Sequence, residues 1–482
     1  MTKLKSLFRS QNMTEGNPLA VMLRFSLPLL IGNIAQLLYN TVNAIIVGNL
    51  VGPNALSSVS VSTPIQNIFF TFFMTVGTGV SIVVAQYFGA KDREKVSLSV
   101  GNAITLALIA TLSISLIGVP LAGSLLRLNK VNATILPDAR TYLMIMFAGA
   151  IGVGFYNILS GILRGLGDSV FPLRVLVGTS LLNIGLVYLF VGVFELGVAG
   201  AAIATVTAQT LSAAVCLYKI MRMKSVLDLN RDVLRPRKYM VWHILRIGLP
   251  SGVQQVILGS SAFIVNGLVN GILVLDANRL VSDTIFVSAA AAFTQTDAIA
   301  NLPSQAFSMG GSTFAGQNIG AGRLDRVKQG FKIISVMCLA MSAIIFTVIY
   351  IWGGELIKLF VKADDPDYGK IVEWGKWIQR IYVYTYIEMA ILQPASGVLR
   401  GAGDTMPVMW ITIFCTVVLR IPMAWLWVTQ SGDQSMGGNA SGIYWSMVIC
   451  FGIAAALSLG YYLSGRWKRK ILVRSPTTGD AE

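Results

Sequence analysis

The chain has 482 residues and a net charge of +15, with only 12% charged residues against 54% hydrophobic ones, where an ordinary globular protein carries roughly 25% charged. Its mean hydropathy is +0.68, so a water-facing exterior cannot be assembled from it and a set of soluble domains is excluded. A single histidine, His243, and four cysteines without paired spacing (Cys216, Cys338, Cys415 and Cys450) leave no basis for a His-based triad, a zinc cluster or a disulfide scaffold.

A bilayer core about 30 Å thick takes about 20 apolar residues per helix. By that measure the first half of the chain predicts spans over residues 25–47, 56–84, 103–126, 141–163, 172–190 and 198–220. The first span carries Asn33, Gln36, Asn40 and Asn43, whose spacings of three, four and three put them on one helical face. Tyr39 lies next to that stripe. Such a face meets protein or water rather than lipid, either as hydrogen bonding between helices or as the lining of a cavity.

The second half predicts spans over 242–269, 284–314, 331–351, 377–399, 406–428 and 441–463. Gln254 and Gln255, after Pro250, are polar groups suited to a cavity. Asp297 precedes Asn301 by four residues on the same face, with Pro303 following. Glu388 lies midway through the tenth span and Arg420 in the eleventh. Ionisable residues at membrane depth are functional candidates by default. Arg420 either pairs with Glu388 or Asp297 and fixes helix packing, or one carboxylate is left to exchange a cation, because one arginine does not fully neutralise two acids.

Lys and Arg gather on one side: Lys3, Lys5 and Arg9; Lys91, Arg93 and Lys95; Arg164; the run from Lys219 to Lys238; Arg323, Arg326 and Lys328; Arg400; and the tail from Arg466 to Lys470. By the positive-inside rule this side is cytoplasmic, both termini lie there, and the number of spans is even. The charge thus reads as topology and contact with anionic headgroups, not nucleic-acid binding. The expected fold is all-α and integral to the membrane, with twelve transmembrane helices.

The chain also repeats itself. Ala85-Gln-Tyr-Phe-Gly-Ala-Lys-Asp92 is echoed by Gly316-Gln-Asn-Ile-Gly-Ala-Gly-Arg323, Ser160-Gly-Ile-Leu-Arg-Gly-Leu-Gly-Asp168 by Ser396-Gly-Val-Leu-Arg-Gly-Ala-Gly-Asp404, and Arg24-Phe-Ser-Leu-Pro28 by Arg246-Ile-Gly-Leu-Pro250, all in the same order. Two pseudo-twofold-related lobes of six helices are therefore expected. They divide the chain into a cytoplasmic segment 1–24, an N-lobe 25–221, a linker 222–241, a C-lobe 242–464 and a basic tail 465–482. Parallel repeats of this kind are the architecture of a transporter that alternates access to a central cavity. Gly165, Gly167, Gly401 and Gly403 are expected to make turns, and Gly89 and Gly320 to be turn residues after a helix end.

At these motifs the chain resembles the multidrug and toxic compound extrusion (MATE) family, within it the DinF-like bacterial branch. The resemblance implies a monomeric antiporter in the bacterial inner membrane that exports amphipathic, cationic compounds in exchange for H⁺ or Na⁺. It implies no cofactor, no enzymatic activity and no partner besides cargo and lipid. The alternative is a flippase for a lipid-linked precursor, although only Arg420 supplies a cavity cation for its phosphate. The resemblance also exposes a departure. The family's N-lobe carboxylates fall here on Asn43 and Val187, while the accompanying Asn183 and Thr205 remain. A carboxamide does not take up a proton near neutral pH, so ion coupling is expected to rest on Asp297, Glu388 and Arg420.

Overall fold

The structure is a computed structural model that describes residues 12–129, 131–275, 283–430 and 438–470; Lys3, Lys5, Arg9 and both termini, with their expected cytoplasmic placement, lie outside the described residues. All regular structure among those residues is helical. The helices are α1 (Pro18–Leu50), α2 (Pro53–Gly89), α3 (Arg93–Leu128), α4 (Leu136–Ala148), α5 (Ala150–Gly165), α6 (Val170–Val187), α7 (Gly197–Met221) and the single turn α8 (Arg231–Leu234). They continue with α9 (Lys238–Leu275), α10 (Asp283–Gly320), α11 (Leu324–Lys358), α12 (Tyr368–Tyr382), α13 (Tyr384–Gly401), α14 (Thr405–Ile413), α15 (Ile421–Gln430) and α16 (Gly438–Leu463).

Each of the twelve expected spans falls within a helix or a run of joined helices. Among the described residues, eight are long and apolar enough by length and composition to cross a bilayer as single runs, and the pair α4–α5, bent by 48° at Gly149, makes a ninth. Helix is the form a spanning segment must take, because lipid offers backbone groups no partner. The fifth span of each repeat departs from regular helix in the same way. α6 runs into a π-helical stretch, Tyr188–Val193, and α14 and α15 are joined by another, Phe414–Arg420. Such wide turns are often found at functional sites.

The chain groups into two compact units, one of Met1–Gly252, Thr313–Leu324 and Leu472–Glu482, the other of Val253–Ser312 and Asp325–Ile471. In the first, a core of Val76, Val80, Val84, Ile158, Ile162, Ile220 and Ile244 packs α2, α5, α7 and the start of α9 together. In the second, Ile285, Phe286 and Phe293 of α10 pack against Ile378 and Tyr382 of α12, Tyr386 of α13, and Ile443 and Tyr444 of α16.

The repeated motifs are structural, with one correction. Gly167 and Gly403 adopt left-handed φ values of 85° and 82°, the conformation glycine enters without penalty. The aspartates after these turns anchor neighbouring helices. Asp168 Oδ1 accepts from the backbone N–H groups of Val170 (3.2 Å) and Phe171 (2.9 Å), and Asp404 Oδ2 accepts from the Tyr461 hydroxyl at 2.7 Å. Gly89 and Gly320 are not turn residues: the left-handed positions near them belong to Lys91 and Gly322. Within the first unit the C-terminal ends of α2 and α10 cross at these two glycines. A Cβ on Gly89 would overlap the Gln317 carbonyl, and one on Gly320 the Gln86 carbonyl. Gln317 further ties this crossing, its Nε2 donating to the Gly165 carbonyl and its Oε1 accepting from Met13 N–H.

Replacing either glycine by alanine drives a methyl into a carbonyl oxygen. Gly89→Ala and Gly320→Ala are each expected to cost about 1–3 kcal/mol, read as a lowered midpoint of thermal unfolding in detergent. An unchanged midpoint for both would contradict the crossing.

Candidate functional site

In the first unit, the polar stripe of α1 lies along the protein with unequal exposure. Asn33, Gln36 and Asn43 are half-buried, Tyr39 is buried and Asn40 exposed. Gln36 Nε2 reaches Asn40 Oδ1 at 3.5 Å, a weak link one turn apart. The Tyr39 hydroxyl lies beside Thr205 of α7 and Asn43, short of a hydrogen bond, since it and Asn43 Oδ1 are buried without a partner. Thr205 Oγ1 instead donates to the Ala201 carbonyl of its own helix at 3.0 Å. Asn183, on the last turn of α6 before the π stretch, is fully buried with neither amide atom partnered, and Val187 is buried in the apolar cluster one turn on. Buried polar atoms without partners are costly. Here they are neutral amides and hydroxyls, so the set can hold water or a polar ligand but has no charge of its own to exchange.

The second unit does. Asp297 sits on α10, six residues before Pro303, which lacks an N–H and so releases the carbonyl one turn back. Asp297 Oδ1 accepts from Asn301 Nδ2 at 2.7 Å and from the Tyr386 hydroxyl at 2.9 Å. Asn301 Nδ2 also bonds the Asp297 backbone carbonyl at 3.0 Å, which holds the carboxamide over the acid. Tyr382 lies beside the same carboxyl. Edge-to-face contacts complete an aromatic nest. The Phe293 ring is 4.9 Å from that of Tyr382 and 5.8 Å from that of Tyr444, and Tyr382 is 5.8 Å from Tyr386. Among the described residues no Lys, Arg or His forms a salt bridge with Asp297. Its charge is met only by neutral donors in an apolar surround, the arrangement in which a bound cation has most to contribute.

Glu388 is not part of that nest, and Arg420 makes no bond to Asp297 but lies within electrostatic reach of Tyr382 at the edge of the nest. Glu388 is half-buried on α13, its Oε2 unpartnered and its Oε1 pressed toward Gly452 of α16. Arg420 closes the π stretch, only 5% exposed. The pairing of Arg420 with Glu388 or Asp297 is not formed among the described residues. Arg420 Nη1 donates to Ser261 Oγ at 2.9 Å and its Nε has no partner. Cys450 of α16 lies within electrostatic reach of both Arg420 and Glu388. Gln254 donates through Nε2 to Thr412 Oγ1 at 3.0 Å, while Gln255 is exposed. No group of three or more His, Cys, Asp or Glu that could hold a metal occurs among the described residues.

Sequence reasoning therefore found the acid and its amide but missed the aromatic nest. The signal was present: Tyr382 and Tyr386 are four residues apart, on one side of the tenth span. The small break at Val383, where the Thr385 hydroxyl donates to the Tyr382 carbonyl, had none.

Comparison with known proteins adds an independent line. The family model MatE matches residues 28–189 and 260–426. The Bacillus subtilis protein named "Probable multidrug resistance protein YpnP" is 29% identical over 95% of this chain and 98% of its own length. The Thermotoga maritima protein named "Probable multidrug resistance protein NorM" is 24% identical over 94% of each. A solved MOP superfamily transporter from Pyrococcus furiosus superposes on 96% of this chain and 99% of its own, with a TM-score of 0.84 at 22% identity, and so shares the fold.

The surroundings of the two acids predict opposite responses to substitution. Tyr386→Phe removes a donor from a partnered carboxylate and is expected to lower stability by about 1–2 kcal/mol. Glu388→Gln removes a charge with an unpartnered oxygen and is expected to leave stability unchanged or raise it by about 1 kcal/mol. Thermal unfolding of the two variants checks the pair, and a fall for Glu388→Gln as large as that for Tyr386→Phe would contradict the assignment.

Proposed function

Because the chain belongs to the MatE family and is a multi-pass membrane transporter rather than an enzyme, we propose that it exports amphipathic, cationic organic compounds by antiport against inward H⁺ or Na⁺. In this reading the N-lobe (25–221) and the C-lobe (242–464) each contribute groups to transport, with the basic loops on the cytoplasmic side. The names of the Bacillus subtilis and Thermotoga maritima relatives support drug export.

One observation carries the coupling assignment. Asp297 is held by Asn301 and Tyr386, both neutral, whereas the region that holds carboxylates in resembling sequences has only Asn43, Val187, Asn183 and Thr205 here. An antiporter needs a group that binds a cation in one state and releases it in another. A fixed arginine partner would hold the carboxylate permanently charged; neutral donors leave the balance to H⁺ or Na⁺. In this reading Asp297 takes up the ion, Asn301 and Tyr386 position it, Glu388 is an auxiliary acid, and Arg420 orders the eleventh span through Ser261. Gln36, Tyr39, Asn40, Asn43, Asn183, Thr205, Gln254 and Gln255 supply the polar lining that faces cargo.

Vesicles loaded with a fluorescent lipophilic cation, under separately imposed pH and sodium gradients, test this. Export is expected to follow one gradient and to fall at least tenfold in Asp297→Asn with cargo binding retained. Asn43→Asp, which restores a carboxylate in the first lobe, is expected to alter the pH or sodium dependence. Export by Asp297→Asn at the wild-type rate under both gradients would move coupling elsewhere.

A further inference from the structure

The linker between the repeats is fastened to α3 rather than draped over it. Arg93 reaches Asp228 at 2.7 Å and donates to the Lys224 carbonyl at 2.6 Å, and Asp228 N–H donates to Ser97 Oγ at 2.8 Å. Further along, Asn102 is fully buried and clamps three residues of the linker. Its Nδ2 donates to the carbonyls of Val233 (3.2 Å) and Arg235 (3.3 Å), and its Oδ1 accepts from Arg237 N–H at 2.6 Å. Thr105 Oγ1 donates to the Leu234 carbonyl at 2.6 Å. These bonds fix the direction of Arg235-Pro-Arg-Lys238, whose side chains are all exposed.

Directly below this edge α9 begins. Pro236, Lys238, Tyr239, Val241, Trp242 and Leu245 line a groove of about 1000 Å³ whose walls are almost wholly apolar. Tyr239 is 45% and Trp242 59% exposed, and Tyr239 is braced edge-on against His243 at 6.1 Å. Exposed aromatic rings on the first turns of a spanning helix mark headgroup depth.

We propose that this groove binds one anionic phospholipid, its phosphate on Arg237 and Lys238 with Arg235 at the rim, and its upper acyl chain along Tyr239, Val241, Trp242 and Leu245. The two halves of the site require the two halves of that ligand. A soluble anion leaves the apolar trough unfilled, and a neutral lipid leaves Arg237 and Lys238 uncompensated, since of the three cations only Arg235 has an acidic neighbour, Asp232 at 3.9 Å. Because Asn102 holds the cations in place before the lipid arrives, binding orders little further chain, and the bound lipid braces the junction between the repeats.

The test uses the full chain reconstituted in vesicles containing a brominated-acyl probe, either phosphatidylglycerol or phosphatidylcholine, and reads the quenching assigned to Trp242 by subtracting Trp242→Phe. The expected result is an association with brominated phosphatidylglycerol about tenfold stronger than with phosphatidylcholine. Each neutralised cation is expected to reduce that preference about fivefold, so Arg237→Gln/Lys238→Gln abolishes it, whereas Arg237→Lys keeps most of it. Equal quenching by both probes, or a preference that survives Arg237→Gln/Lys238→Gln, would overturn the proposal. So would displacement of the brominated phosphatidylglycerol by millimolar inorganic phosphate, which would identify a site for a free anion.

Discussion

A polar or charged atom without a partner costs several kcal/mol when it is removed from water, and most of this chain's architecture answers to that constraint. Backbone groups satisfy it by staying helical through the described spans except at short breaks such as Gly149 and Val383. Where helices must stop, the repeated Gly-Asp turns return the orphaned N–H groups to a side chain, as Asp168 does for Val170 and Phe171. Where two helix ends must meet, glycine lets backbone lie against backbone at Gly89 and Gly320 without inserting anything between. Polar side chains that satisfy the rule are scaffold. Among those that do not, or do so only with neutral partners, are the groups proposed to meet cargo and ion.

That distinction separates the two repeats. In the first, the orphaned atoms include Tyr39 Oη, Asn43 Oδ1 and both amide atoms of Asn183, groups able to bind water or a polar ligand but not to switch charge. In the second, Asp297 places a titratable carboxyl within an aromatic nest, and Glu388 keeps an unpartnered oxygen. In the proposed function, ion exchange rests on the second copy and the polar groups of the first are left to cargo. The linker supplies the reverse case: its cations are outside, prearranged by Asn102, and available to a charge that comes from the bilayer.

Much of the fold was legible because membrane helices announce themselves by length and apolarity, and because a repeat fixes which segments correspond. Twelve spans and the turn glycines Gly167 and Gly403 follow from those two signals alone. What stayed hidden depends on contacts between distant segments. Gly89 and Gly320 look like turn residues in sequence, since nothing local says that Gln317 and Gln86 will lie against them. Arg420 looks like a partner for an acid, because charge complementarity is visible and a serine on another helix, Ser261, is not. The π stretches at Tyr188–Val193 and Phe414–Arg420 leave no pattern in composition, yet the second of them carries Arg420 at its end. For the site, Asp297 and Asn301 were readable from spacing within one helix, while the tyrosines that complete it come from α12, α13 and α16.

The most direct measurement is infrared difference spectroscopy of the purified transporter as pH is cycled, following the carbonyl stretch of a protonated carboxylic acid. The account predicts one such band from a shielded acid, lost in Asp297→Asn, perturbed in Tyr386→Phe and kept in Glu388→Gln. A band that persists unchanged in Asp297→Asn would contradict it.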